Sequence, residues 1–381
     1  MKILITGNLG YVGPSVTRQL RSAFPDADLV GLDTGYFSHC LTAPGAPPEA
    51  QLNAQYYVDI RSIRSELLEN VDTIVHLAAI STHPVEKAYE DLILDINYHA
   101  GMRLARLAKS AGVRSFVFAS SCSAYGAADD RARREDSQLR PSTVYARSKV
   151  LTESGLRKLA DAKFRVTCLR FATACGMSDR LRLDLVLNDF VASAVATGRI
   201  IMLSDGSPWR PLIDVHDMAR AVEWAVGRDS HNGGHFIVVN AGSEEWNYRL
   251  RQLAEAVANV IPGTEVLINY AAPPDKHSYR VDFSLFRRLA PRHQPQADLQ
   301  GTIESLRNGL AQMYFDDANF RHSALIRLEV LTDLQRRHLL SPTLQWLHRL
   351  PASPVASVDT RPRGEEEPVP IQATTARRVG V

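Results

Sequence analysis

The sequence is short of the features that mark several protein classes. Its 381 residues hold only four cysteines, Cys40, Cys122, Cys168 and Cys175, and none forms a C-x-x-C pair. No histidine cluster stands near them at metal-ligand spacing, so neither a disulfide scaffold nor a metal site is expected. A reducing, cytoplasmic compartment is the simplest setting. No run reaches the roughly 18 apolar residues needed to cross a bilayer. The opening MKILITGNLGYVG is unlike a signal peptide, because its short apolar run enters a glycine turn at once. Charge of one sign is missing too: Lys and Arg number 44, Asp and Glu 42, and the formal net charge is +2. With no basic cluster, neither nucleic acid nor a membrane is expected as a partner.

What is present is an ordinary globular composition, 45% hydrophobic and 23% charged. The length suits one large domain or two fused lobes. Ile3-Leu4-Ile5 is short, apolar and β-branched, the pattern of a buried parallel strand. Further strands are expected at 28–32, 56–59, 71–77, 115–119 and 165–169, and helices at 92–111 and 144–159, the first stopped by Gly112. This alternation predicts a doubly wound α/β Rossmann sheet over residues 1–169. Helices at 181–197 and 217–226 and a strand at 235–240 suggest a smaller mixed α/β lobe over 170–315. Leucines at helical spacing suggest a helical extension over 316–350, packed on the core or lying on a dimer surface. Residues 351–381 hold five prolines and the run Glu365-Glu366-Glu367, and are expected to be a disordered tail.

The most informative segment is Thr6-Gly7-Asn8-Leu9-Gly10-Tyr11-Val12-Gly13. Its glycines recur every third residue between a strand and a helix. Gly7 permits a tight turn, Gly10 lets backbone approach a diphosphate at the helix N-terminus, and Gly13 permits close packing. A chance glycine cluster would lack the acid that follows: Asp33 stands twenty residues after Gly13, at the end of the second strand, where a ribose acceptor belongs. Thr34, Gly35 and Tyr36 supply no cation for a 2′-phosphate, so NAD is favoured over NADP. Asp59 and Ile60 suit an adenine contact or, equally, a solvated strand end.

Tyr145 and Lys149 are four residues apart on one helical face. A phenol with a pKa near 10 is a poor base, but a neighbouring ammonium lowers it. Such a tyrosine can exchange a hydroxyl proton while hydride moves to or from a cofactor. Ser120 and Ser121 end a strand, where the ligand crevice of a doubly wound sheet opens. By themselves, both could be ordinary surface or turn features.

Together these segments resemble the extended short-chain dehydrogenase/reductase family, in its NAD-dependent nucleotide-sugar epimerase and dehydratase branch. The resemblance rests on TGNLGYVG, HLAA (76–79), FASSCSAYG (118–126), YARSK, LRFATACG (169–176) and SDGSPWRPLIDVHDMARA (204–221), in the family's order over residues 1–290. It implies a catalytic set of Ser121, Tyr145 and Lys149. It implies cofactor contacts from the whole turn Gly7 to Gly13, from Asp33, Asp59 and Ile60, and from Leu77, Ala78, Ala79, Asn97, Ser120, Tyr145, Lys149 and Phe171. Around a sugar nucleotide it places Ser81, Ser121, Cys122, Thr173, Arg180, Asn188, Arg210 and Arg280, with Arg210 on the diphosphate. Thr173 stands where the family often has Asn, and with His277 this suggests an altered substrate pocket.

The 4,6-dehydratases of this family carry Asp-Glu directly after the catalytic Ser or Thr, where this chain has Cys122-Ser123. Dehydration is therefore disfavoured, and Cys122 reads by default as a small buried thiol. The leading expectation is NAD-dependent C4 epimerisation of a nucleotide sugar. Reduction of a 4-keto sugar nucleotide by NAD(P)H is the alternative, and a non-catalytic NAD-binding protein a remoter one. The family also implies a homodimer, through the helices at 92–111 and 144–159.

Overall fold

The computed structural model describes residues 1–42, 45–81, 89–126, 131–272 and 278–347. His277 and the expected tail at 351–381 lie outside the described residues. The strands are β1 (Lys2–Thr6), β2 (Asp28–Asp33), β3 (Ala54–Tyr57), β4 (Thr73–His76), β5 (Ser115–Ser121), β6 (Arg165–Phe171), β7 (Thr173–Cys175), β8 (Arg199–Met202), β9 (Trp209–Asp214), β10 (Phe236–Ala241), β11 (Asn247–Arg249) and β12 (Glu265–Ile268). The helices are α1 (Gly13–Ala23), α2 (Glu90–Leu94), α3 (Gly101–Ser110), α4 (Val144–Leu159), α5 (Val186–Thr197), α6 (Val215–Gly227), α7 (Leu250–Val260), α8 (Ser284–Leu289), α9 (Leu299–Gln312) and α10 (Arg327–Arg336).

Seven strands form one sheet in the order β3-β2-β1-β4-β5-β6-β10. Every pairing in it is parallel. Successive strand residues enter opposite cores. Ile3, Ile5, Val75, Val117 and Leu169 face one, and Leu4, Ile74, Phe116, Phe118 and Val166 the other. Burial on both faces is why these strands read as unbroken apolar runs. This is the doubly wound Rossmann-like α/β fold expected from the sequence. A smaller part holds a three-stranded sheet, β11-β9-β7, and the pair β12-β8.

Several boundaries differ from the sequence expectation. The helix expected from residue 181 begins only at Val186. The one expected at 92–111 is α2 and α3 joined by a π-helical stretch, Asp95–Ala100. Such stretches often occur at functional sites. Strand β10 comes from within the expected second lobe, yet it pairs with β6 along Phe236–Ala241. Alternation identifies a strand but cannot say which sheet it joins.

The chain order reverses at β1, whose neighbours are β2 on one side and β4 on the other. A crevice opens there at the carboxyl ends of the strands, where doubly wound sheets bind ligands. Helix α10 and the segment after it close one end of the second core. Val330, Leu331, Leu334, Leu340 and Leu344 are buried there with Tyr36, Cys40 and Ile60.

Candidate active site

The crevice holds a cavity of about 370 Å³, running from the ends of β2 and β3 to the end of β5 and the start of α4. The glycine turn forms its floor. Gly7 has φ +78°, and an added Cβ would lie 2.5 Å from the Ala78 nitrogen. At Gly13 a Cβ would fall 2.0 Å from the Asn8 carbonyl oxygen, so this glycine serves the turn's own closure rather than helix–strand contact. Tyr11 fixes the turn to the rest of the molecule. Its hydroxyl donates to Gly176 O at 2.6 Å and accepts from Asn188 Nδ2 at 3.0 Å.

At one end, the Asp33 carboxylate accepts from the amides of Leu9, at 3.1 Å, and Gly35, at 2.8 Å. Burial pushes this carboxyl up, and the two amides oppose the rise. Arg61 comes near this end but is engaged by Asp59 at 2.6 Å. That pairing neutralises the Arg61 charge, which is then not free for a 2′-phosphate.

At the other end stand Ser121, Tyr145 and Lys149, all in the cavity wall. Thr143 caps α4 by accepting from the Ala146 amide at 3.1 Å, which fixes Tyr145 in the first turn. Lys149 Nζ donates to Ala119 O at 2.7 Å and lies 5.3 Å from the Tyr145 ring centroid. Burial holds the Lys149 ammonium down to about 8, against the pull of Glu153. Tyr145 departs from the sequence expectation: burial raises its pKa, and the groups that lower it are Arg182 and the Ser121 hydroxyl. Beneath the serine lies a buried polar network. Glu153 accepts from Ser120 Oγ at 2.5 Å and pairs with Arg170 at 2.7 Å.

These features fit a dinucleotide: a cradle that no Cβ could share, an acid at one end and a Tyr–Lys pair at the other. Residues 3–242, more than half of the chain, match the family model described as NAD dependent epimerase/dehydratase family. The chain belongs to that family. It is 26% identical to a UDP-glucose 4-epimerase of Corynebacterium glutamicum over 68% of this chain and 80% of that protein. It is 28% identical to one from Lactobacillus helveticus, over 47% of this chain and 53% of the relative, so that alignment spans only about half of it. Among solved structures, an NAD-dependent NDP-hexosamine 5,6-dehydratase of tunicamycin biosynthesis superposes with TM-score 0.71 at 24% identity, covering 83% of this chain and 99% of the other. At that identity the likeness carries the fold alone. An NAD-dependent enzyme of this family can be an epimerase or a dehydratase, so the residues at the reacting end must discriminate.

Of the family positions inferred from sequence, Gly7, Gly10, Tyr11, Val12, Asp33, Asp59, Ile60, Leu77, Ala78, Ala79, Ser81, Ser120, Phe171 and Thr173 line the cavity with the catalytic set. Others do not. Asn8 and Leu9 are buried behind the turn. Asn97, in the π-helical stretch, clamps Ile80: Oδ1 accepts from its amide at 2.8 Å and Nδ2 donates to its carbonyl at 2.9 Å. Asn97→Ala should therefore lower unfolding stability by about 1–3 kcal/mol, measured by urea titration, by stranding two buried backbone groups.

Four expected substrate contacts are corrected. Cys122 is fully buried, its thiol against Arg170 O, because the short helix after Ser121 turns it into the core. Ser123 reaches the cavity in its place. Arg180 is 1% exposed and spends its guanidinium on Glu49 and the carbonyls of Phe37 and Ser38. Asn188 is buried, accepting from the Gly176 amide at 3.0 Å and donating to Arg182 O at 2.8 Å. Arg280 stacks on Trp209, 4.9 Å from its ring centroid, outside the cavity wall. Arg210 also lies outside that wall, near Tyr279, which does line it.

Sequence reasoning missed Arg182, Tyr279 and Arg327, all in the wall. Arg182 donates to Ser81 Oγ at 2.9 Å and pairs with Asp184 at 2.8 Å. With 181–185 irregular rather than helical, no periodicity could say which of Arg180 and Arg182 faces the ligand.

Proposed function

We propose that this protein interconverts C4 epimers of a nucleotide sugar, with Tyr145 as the acid/base. One observation carries the reading. The two positions after Ser121, which in a 4,6-dehydratase of this family would hold the acid–base pair, are a core thiol and Ser123. Among the described residues, Asp33 and Asp59 are the only carboxylates in the cavity wall, and they stand at the far end, on β2 and after β3. Among the described residues, no carboxylate in the cavity wall is placed to take a C5 proton or expel a hydroxyl.

The residues that remain suit oxidation and reduction at one carbon. The glycine turn and Asp33 would hold NAD, which would supply a reversible hydride acceptor. Tyr145 takes the proton of the sugar hydroxyl and returns it after the sugar reorients. Lys149 supplies positive charge beside the phenolate, and Ser121 holds the reacting oxygen. The UDP-glucose 4-epimerases among the relatives support a UDP-sugar, and Arg210 would meet its diphosphate beyond the Tyr279 wall.

The test is incubation with UDP-glucose and UDP-galactose, followed by chromatography and mass spectrometry. Epimers of unchanged mass should form without added NADH. A product lighter by one water would mark a dehydratase. Turnover only of a 4-keto sugar with consumption of NAD(P)H would mark a reductase.

A homodimer through the outer faces of α3 and α4 belongs to the same proposal. Leu151, exposed on α4, is the apolar residue that supports it. A cytoplasmic setting fits the four free thiols, all buried. No helix among the described residues is long and apolar enough to cross a membrane.

A further inference from the structure

Arg327 is the first residue of α10, and only 2% of it is exposed. It lines the same cavity as Asp33 and Tyr145. Its guanidinium donates to Arg180 O at 2.6 Å and lies 4.8 Å from the Phe37 ring centroid. The two neighbouring guanidiniums have counter-ions: Arg180 pairs with Glu49 and Arg182 with Asp184. Among the described residues no carboxylate forms an ion pair with Arg327.

This is an unfavourable place for a cation. Burial holds Arg327 down to about 10; the Cys40 thiol and the Asp184 carboxylate, already paired with Arg182, oppose that fall, while Arg182 and Arg180 add to it. The α10 dipole adds its own positive end at the same residue. A buried charge without a partner is destabilising, and an anion in the cavity would relieve it.

The position of Arg327 says which anion. Phe37 follows Asp33 by four residues in sequence and lines the same cavity. Arg182 reaches Ser81 and acts on Tyr145 at the reacting end. Arg327 touches Phe37 and is repelled by Arg182, so its guanidinium neighbours one residue close to Asp33 in sequence and one at the reacting end. A dinucleotide spanning the cavity from Asp33 to Tyr145 would carry its diphosphate between them. We propose that Arg327 binds that diphosphate, making the C-terminal segment 327–347 a wall of the dinucleotide site. The proposal rests on the reading that this cavity holds NAD.

The rest of the segment braces the Asp33 end. Leu344 O accepts from the Tyr36 hydroxyl. Thr343 O accepts from Arg61 at 2.8 Å, and Trp346 Nε1 donates to Thr34 O at 2.7 Å. The Trp346 ring lies 5.9 Å from that of Tyr36. Thr34 and Tyr36 both line the cavity. All of these C-terminal residues lie beyond residue 242, where the family match ends.

Calorimetric titration of the full chain, stripped of cofactor, with ADP-ribose and with adenosine tests this. Arg327→Met should weaken ADP-ribose by about 10- to 100-fold, the worth of a charge-assisted contact, and adenosine by less than about twofold. Equal losses of both ligands would mean a structural role only, and unchanged ADP-ribose binding would mean none; either overturns the proposal. If Arg327→Met does not fold, Arg327→Lys should keep the preference for ADP-ribose and Arg327→Gln should lose it; an unchanged preference in the Gln variant overturns it. A wild-type protein that binds neither ligand defeats the cavity assignment itself. A wild-type protein that binds both, with the variants unaltered, defeats only the role of Arg327.

Discussion

Tyr145→Phe should lower turnover by about 10²- to 10⁴-fold, the usual worth of a positioned acid/base. The loss should fall on kcat. The ring still fills its place in the cavity wall, so NAD and UDP-sugar affinities should stay within about threefold by titration. The pH profile separates this role from packing. Burial raises the Tyr145 pKa, while Arg182 and the Ser121 hydroxyl lower it. The phenolate is therefore scarce at neutral pH, and wild-type kcat should rise with pH as it forms. The residual rate of the Phe variant should lack that rise. Turnover within about twofold of wild type would remove Tyr145 from the mechanism and favour a non-catalytic NAD-binding protein.

Lys149→Met should separate activity from stability. Turnover should fall by about 10²-fold or more, because the ammonium beside the phenol is lost. Stability should move the other way. The Lys149 pKa falls from 10.5 to about 8 on folding, mainly through burial. Below about pH 8 both the folded and unfolded chains carry the proton, and the full burial cost is present. Between about pH 8 and 10.5 the folded chain releases the proton while the unfolded chain keeps it, so wild-type stability rises through that window. Methionine has no charge to bury. At pH 7 the variant should gain about 1–3 kcal/mol, less than the full shift implies because the contact to Ala119 O is lost. That gain should shrink as pH climbs from 8 to 10.5. Denaturant titrations at pH 7, 9 and 10 check this; an advantage that does not change with pH would mean that burial does not lower the Lys149 pKa.

The two residues illustrate how unevenly the site could be read. Tyr145 and Lys149 share a helix, so a spacing of four settles that they share a face. The same holds for the glycine turn, where every contact that demands glycine is made within the turn or with the adjoining strand end. Asp33 follows from strand length alone. Arg180 and Arg182 are the opposite case. Each is an arginine in one irregular stretch, and only packing turned the first onto Glu49 and the second toward Ser81. Cys122 and Ser123 divide in the same way, by the direction of one short turn.

The sequence by itself determined a parallel Rossmann sheet, a dinucleotide cradle and a Tyr–Lys pair. Those properties are written in local periodicity and in short-range steric demands, which neighbouring residues satisfy among themselves. The tertiary structure alone decided that β10 completes the main sheet, that Arg180 and Asn188 are internal ties, and that Arg327 enters the cavity from more than 290 residues beyond Asp33. Each of these depends on which distant surface a segment buries, and no local pattern encodes that. The sequence suggested a helical extension at 316–350, packed on the core or lying on a dimer surface; the structure buries α10 in the second core and brings Arg327 into the cavity wall.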